Sequence, residues 1–85
     1  MMTTIEISMY PLQEGYVPPI DGFIALLNQR ASATGFKVLT YPTCTVICGA
    51  YDIVFSALQE TIAEANETWG KAVYVTKIIP NYEAL

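Results

Sequence analysis

The chain contains no histidine. That removes the side chain most often used as a general acid, general base or metal ligand near neutral pH. Cations are scarce as well. Arg30, Lys37, Lys71 and Lys77 are the full set, scattered along 85 residues that carry a net charge of −4. Grip on a phosphate backbone needs clustered cations, so nucleic acid is excluded as a partner class. A mild negative field tolerates a cationic small molecule. Long apolar runs are also missing. No segment approaches the ~18 uninterrupted apolar residues that a spanning helix requires, so membrane insertion is not expected. The opening Met1-Met2-Thr3-Thr4-Ile5-Glu6 lacks the basic and apolar regions of a secretory leader. A cytoplasmic protein is expected.

Cysteine occurs twice, as Cys44 and Cys48. In an extended strand their separation is about 13 Å at ~3.3 Å per residue, beyond the ~7 Å between Cα atoms that a disulfide allows. They read as small core residues in a reducing compartment, not as a redox or metal pair. No cofactor and no metal are expected.

What is present is apolar. Hydrophobic residues make up 53% of the chain and charged residues 14%, against about 25% charged in ordinary soluble domains. Eighty-five residues form one domain, 1–85, and a chain this short buries only about 60–65% of its unfolded surface. That interior is too small for so much apolar area. A second copy covering part of the surface, in a homodimer or homotetramer, resolves the mismatch.

Periodicity divides the chain into six elements. Thr4 to Tyr10 alternates as a half-buried strand, with Ile5, Ile7 and Met9 on one side and Glu6, Ser8 and Tyr10 on the other. Pro19 suits the first turn of a helix, whose stripe is Ile20, Phe23, Ile24, Leu27 and Ala31, with Gly35 as its stop. Phe36 to Tyr41 returns to an extended pattern, and Tyr41-Pro42 forces a tight connection to a strand over Thr43 to Cys48. Gly49 reads as a break and Asp52 as the N-cap of a second helix. Its stripe is Val54, Leu58, Thr61, Ile62, Ala65 and Trp69, with Gly70 as its stop. Ala72 to Ile79 forms a last strand, ended by Pro80.

The order β-α-β-β-α-β predicts an α+β fold, the ferredoxin-like sandwich: a four-stranded antiparallel sheet with two helices on one face. The apolar side of each strand should meet the helices. That assigns Ile5, Ile7, Met9, Cys44, Val46, Cys48, Val73 and Val75 to the core. The open face is then expected to carry Glu6, Ser8, Tyr10, Thr43, Thr45, Ile47, Tyr74, Thr76 and Ile78. Leu39 and Tyr41 join it in one register of the hairpin, Val38 and Thr40 in the other. Hydroxyls, aromatic rings and one carboxylate suit sheet-to-sheet association around a small polar ring. The same composition also suits a plain interface, because Thr and Tyr are ordinary strand formers. Glu6 has two readings: a rim carboxylate paired with Lys77, or a partner for a ligand's amino group or positive charge.

The motifs I-E-I-S-M-Y-P-L (Ile5 to Leu12), T-C-T-V-I-C-G-A-Y-D-I-V-F-S-A-L (Thr43 to Leu58) and V-T-K-I-I-P (Val75 to Pro80) carry a resemblance. The chain resembles the small thiamine-binding or hydroxymethylpyrimidine-binding proteins, the YkoF-like family. The resemblance implies a ferredoxin-like domain that associates through its sheets. It implies binding of thiamine or its pyrimidine moiety without chemistry, in some members connected with transport or salvage of vitamin B1. Ser8, Tyr10 and Thr45 are the first expected ligand contacts, with Glu6 and Thr43 next. One departure is visible: many members place Glu before the glycine, where this chain has Cys48. An aminopyrimidine could stack on tyrosine and exchange hydrogen bonds with the hydroxyls and a carboxylate, and a thiazolium would gain cation–π contact.

Two other classes stand beside this reading. A small enzyme on the same fold would need a positioned acid or base, and Glu6 is the one acid expected on the open face. A regulatory or structural oligomerisation module would need no small ligand.

Overall fold

Each strand follows a β-branched or alternating run and each helix follows a stripe of 3.6-residue period. The computed structural model, which describes all 85 residues, contains β1 (Met2–Pro11), α1 (Val17–Thr34), β2 (Lys37–Thr40), β3 (Thr45–Ala50), α2 (Tyr51–Trp69) and β4 (Ala72–Pro80). The strands form one antiparallel sheet in the order β2-β3-β1-β4. This is the expected ferredoxin-like arrangement.

The helices end where glycine permits it. Gly35 follows α1 at φ 88°, in the left-handed region, and donates its N–H to the Ala31 carbonyl at 2.8 Å. Phe23 and Leu27 of α1 and Val54, Ala57, Leu58 and Ala65 of α2 bury against Ile5, Ile7 and Ile47 of the sheet. Arg30 ties the two helices on their outer side, 3.0 Å from Glu64 and 3.5 Å from Glu60. No helix is long and apolar enough to cross a membrane.

The strand faces differ from expectation in two of four strands. In β1, Ile5, Ile7 and Met9 face the helices as expected. In β3 the phase is inverted. Ile47 stands opposite Ile5 and Thr45 opposite Ile7, so Thr45 and Ile47 face the helices, while Val46 and Cys48 lie on the open side. Cys44, expected in the core, is half-buried in the turn before the strand. The cause sits at Gly49, which continues the strand and does not break it. A Cβ there would lie 2.6 Å from Phe36 Cβ and 3.2 Å from Val54 Cγ1. Glycine is therefore the residue that touches the helix layer, and two-residue periodicity carries Ile47 and Thr45 with it.

The last strand is inverted too. Tyr74 stands opposite Met9 and Thr76 opposite Ile7, on the helix side, so Val73 and Val75 lie outside and not in the core. The Tyr74 ring packs on Phe23, with centroids 5.3 Å apart. Ile78 shares the helix side but stays exposed, because β4 is an edge strand beyond the helix layer. In β2, Leu39 takes the open face opposite Val46 and Val38 takes the core. One further correction concerns α2: Ala50 is its N-cap residue, and Asp52 lies in the first turn, where its charge favours the helix dipole.

The residues after β4 fold back onto the sheet. Asn81 adopts a left-handed φ of 57° and turns the chain back across the open face. Tyr82 donates its N–H to the Met2 carbonyl at 3.0 Å. Thr4 Oγ1 donates to the Tyr82 carbonyl at 2.7 Å and accepts the Ala84 N–H at 3.1 Å. This strap buries Thr4 and Cys48, whose sulfur lies 3.6 Å from Thr4 Oγ1.

Candidate functional site

Unequal strand lengths create the site. The last paired residue of β3 on the β1 side is Thr45, opposite Ile7, yet β1 runs four residues further to Pro11. Between β2 and β3 the chain turns through Tyr41 to Cys44, closed by the Tyr41 N–H donating to the Cys44 carbonyl at 2.8 Å. The turn makes no main-chain bond to β1 beyond Thr45, which leaves a lane beside residues 8–11. The N-terminal half of α1 floors it with Ile20, Phe23 and Ile24. The result is a cleft of about 660 Å³, within the size range of small-molecule sites.

Four of the five expected residues line this cleft: Ser8, Tyr10, Thr43 and Thr45. They reach it from different sides. Thr45 enters from the helix side and lies 3.4 Å from the Thr40 hydroxyl. Ser8 and Tyr10 enter from the open face, and Ser8 Oγ donates to the Thr43 carbonyl at 3.1 Å, holding the turn to β1. Glu6 is not brought to the cleft. It stands opposite Lys77, with Glu6 Oε2 4.0 Å from Lys77 Nζ, both well exposed. The cross-strand pair answers the charge of Glu6 within the chain.

The cleft contains residues that the sequence reading passed over. Asp21 of α1 is the one carboxylate in its lining, and no lysine or arginine lines it. Tyr16 and Tyr41 join Tyr10 at the rim. Asp21 and Tyr16 were hidden because helix and loop residues have no parity that ties them to a strand face. The legible signal was their closeness in sequence to the Pro18-Pro19 helix start. No group of three or more His, Cys, Asp or Glu residues is gathered to hold a metal. Cys44 and Cys48 are both free thiols.

The open face beside the cleft is more apolar than expected. Inversion of β3 and β4 places Val46, Val73, Val75 and Ile79 on it beside Leu39 of β2, and Val75 is 56% exposed. Tyr10, at the end of this stripe, belongs to both the face and the cleft.

No known family's pattern matches the sequence, and no curated protein matches it. Solved structures do. A Streptococcus pneumoniae protein superposes with a TM-score of 0.82 at 24% identity, over 96% of this chain and 89% of its own. A hypothetical Methanocaldococcus protein gives 0.77 at 22% identity, over 95% and 81%. A Thermotoga maritima protein provisionally named for thiamine biosynthesis or salvage gives 0.71 at 19% identity, over 99% and 86%. At these identities the likeness is one of fold.

Proposed function

We propose that this chain binds thiamine or a related hydroxymethylpyrimidine compound without chemistry, as the YkoF-like proteins do, and that copies of the chain associate through the open sheet face. The observation that carries the reading is the cleft itself, which gathers hydroxyls, tyrosine rings and one carboxylate without a cation. Tyrosine faces stack on a planar ring and attract a cation. Ser8 and Thr45 hydroxyls donate or accept. Asp21 supplies the carboxylate role first assigned to Glu6. The thiamine-related name of the Thermotoga structure supports the choice of ligand class.

Binding without turnover is favoured by the same inventory. The chain has no histidine and the cleft has one carboxylate, so the paired-carboxylate division of acid and base roles is not available there. The apolar stripe of Leu39, Val46, Val73 and Val75 favours a second reading alongside the first, an oligomerisation module with no small ligand.

Calorimetric titration with thiamine and hydroxymethylpyrimidine separates the two. Heat of binding that drops in Asp21→Asn and Thr45→Val supports the ligand site. Absence of heat or of a thermal shift at millimolar ligand leaves the oligomerisation module. Turnover of the ligand that disappears in Asp21→Asn refutes the non-catalytic reading. Sedimentation equilibrium tests the face: Val75→Asp is expected to weaken self-association by buried-charge cost.

A further inference from the structure

The main chain of β1 carries an unused recognition edge inside the cleft. Along a strand, successive residues turn their N–H and C=O groups to opposite edges. Three bonds set the phase for β1. The Met1 carbonyl accepts the Tyr51 N–H on the β3 side, the Met2 carbonyl accepts the Tyr82 N–H on the β4 side, and the Leu12 N–H donates to Lys71 on the β4 side. The β1–β3 and β1–β4 registers run without a bulge. Odd-numbered residues of β1 therefore address β3, and even-numbered ones address β4.

Thr3, Ile5 and Ile7 meet β3 residues in this way. Met9 is the next odd residue. At the same register its partner would be Thr43, which lies in the turn outside β3, and no main-chain bond joins the two. The Met9 N–H and C=O thus point into the lane between β1 and the turn. Met9, Thr43 and Thr45 all line the cleft. A buried or half-buried main-chain pair without partners is costly to leave open.

We propose that the Met9 main chain pairs with a ligand edge that sets a ring-nitrogen acceptor beside an exocyclic amino donor, as a strand of β3 would have paired. The N–H donates to the ring nitrogen and the carbonyl accepts from the amino group. This rests on the ligand-binding reading above and adds the part of the molecule that is read. The 4-aminopyrimidine ring has this edge, and so do cytosine and adenine. Asp21 and the rim tyrosines act on the rest of the ligand, so the edge and the charge are separable.

The test uses amide hydrogen exchange and a ligand panel on the full chain. Thiamine, its 4-oxo analogue, cytidine and adenosine are titrated in parallel. The 4-oxo analogue replaces the amino donor by an acceptor and the adjoining ring acceptor by a donor, which reverses the edge. Thiamine is expected to bind and to slow exchange of the Met9 amide, with the 4-oxo analogue at least about tenfold weaker. Equal affinity for both analogues, or thiamine binding with unchanged Met9 exchange, overturns this proposal and leaves the ligand site standing. Cytidine or adenosine binding tightly while thiamine does not bind, with Met9 protected, upholds the edge and overturns the thiamine assignment. No binding by any of the four overturns both.

Discussion

Replacing Gly49 by alanine tests the strand phase on which the cleft depends. The backbone at Gly49 lies outside the left-handed region, so alanine meets no conformational penalty. The cost is steric. The new methyl would stand 2.6 Å from Phe36 Cβ and 3.3 Å from the Phe36 Cα, contacts that no side-chain rotation relieves. Overpacking of this kind costs about 1–3 kcal/mol, and contact with main chain places it near the upper end. Alanine recovers roughly 0.5–1 kcal/mol over glycine within a strand. The net expectation is a loss of about 2 kcal/mol. For a domain of this size that lowers the melting temperature by about 8–16 °C. Urea unfolding followed by circular dichroism, at one fixed protein concentration because association shifts apparent stability, reads it directly. The alternative phase, with Cys48 and Val46 inward, turns position 49 outward and predicts the opposite sign, a gain of about 0.5–1 kcal/mol. Unchanged or increased stability therefore refutes the register, and with it the placement of Thr45 at the cleft.

Other expectations follow from single contacts. The Tyr74 hydroxyl is buried without a partner, and desolvation raises its pKa above the usual tyrosine value. Tyr74→Phe should leave stability unchanged or raise it by about 1 kcal/mol. A raised folded-state pKa means stability held below pH ~10 and lost as pH rises through the folded value, so the wild type should weaken there and the variant less. Denaturation midpoints between pH 8 and 11 check this. Glu6→Gln removes an exposed pair with Lys77 and should cost under about 0.5 kcal/mol while leaving ligand affinity intact; a large loss of affinity would return Glu6 to the site. Thr4→Val deletes both bonds from the Thr4 hydroxyl to the strap and leaves the Tyr82–Met2 main-chain bond. Faster reaction of Cys48 with a thiol reagent is expected, while Cys44 stays unchanged.

The elements were legible because each follows local periodicity. The helix stripes at Phe23–Leu27 and Val54–Leu58–Ala65 bury as their spacing requires. Gly35 stops α1 because a left-handed residue is needed there. The faces of β3 and β4 were harder, since both parities of C-T-V-I-C-G and V-Y-V-T-K-I-I contain apolar residues. Usable signals were present even so. Lys77 shares its parity with Val73 and Val75, and a lysine seldom points into a core. Gly49 shares its parity with Ile47. Asp21 had no parity signal, only its closeness to the Pro18-Pro19 helix start: its place in the site depends on where α1 lies against the sheet.

Sequence by itself determined the type and order of the six elements, the α+β class, and the surplus of apolar residues over available interior. Those follow from local backbone preference and from counting. Tertiary structure decided which face each strand presents, because register is a long-range choice between two parities of similar hydrophobicity, settled here by the contact of Gly49 with Phe36. It also decided that β1 outruns β3, which opens the cleft, and that the residues after β4 fold back over Thr4 and Cys48. Both depend on where strands stop relative to their neighbours, a relation between segments distant in the chain.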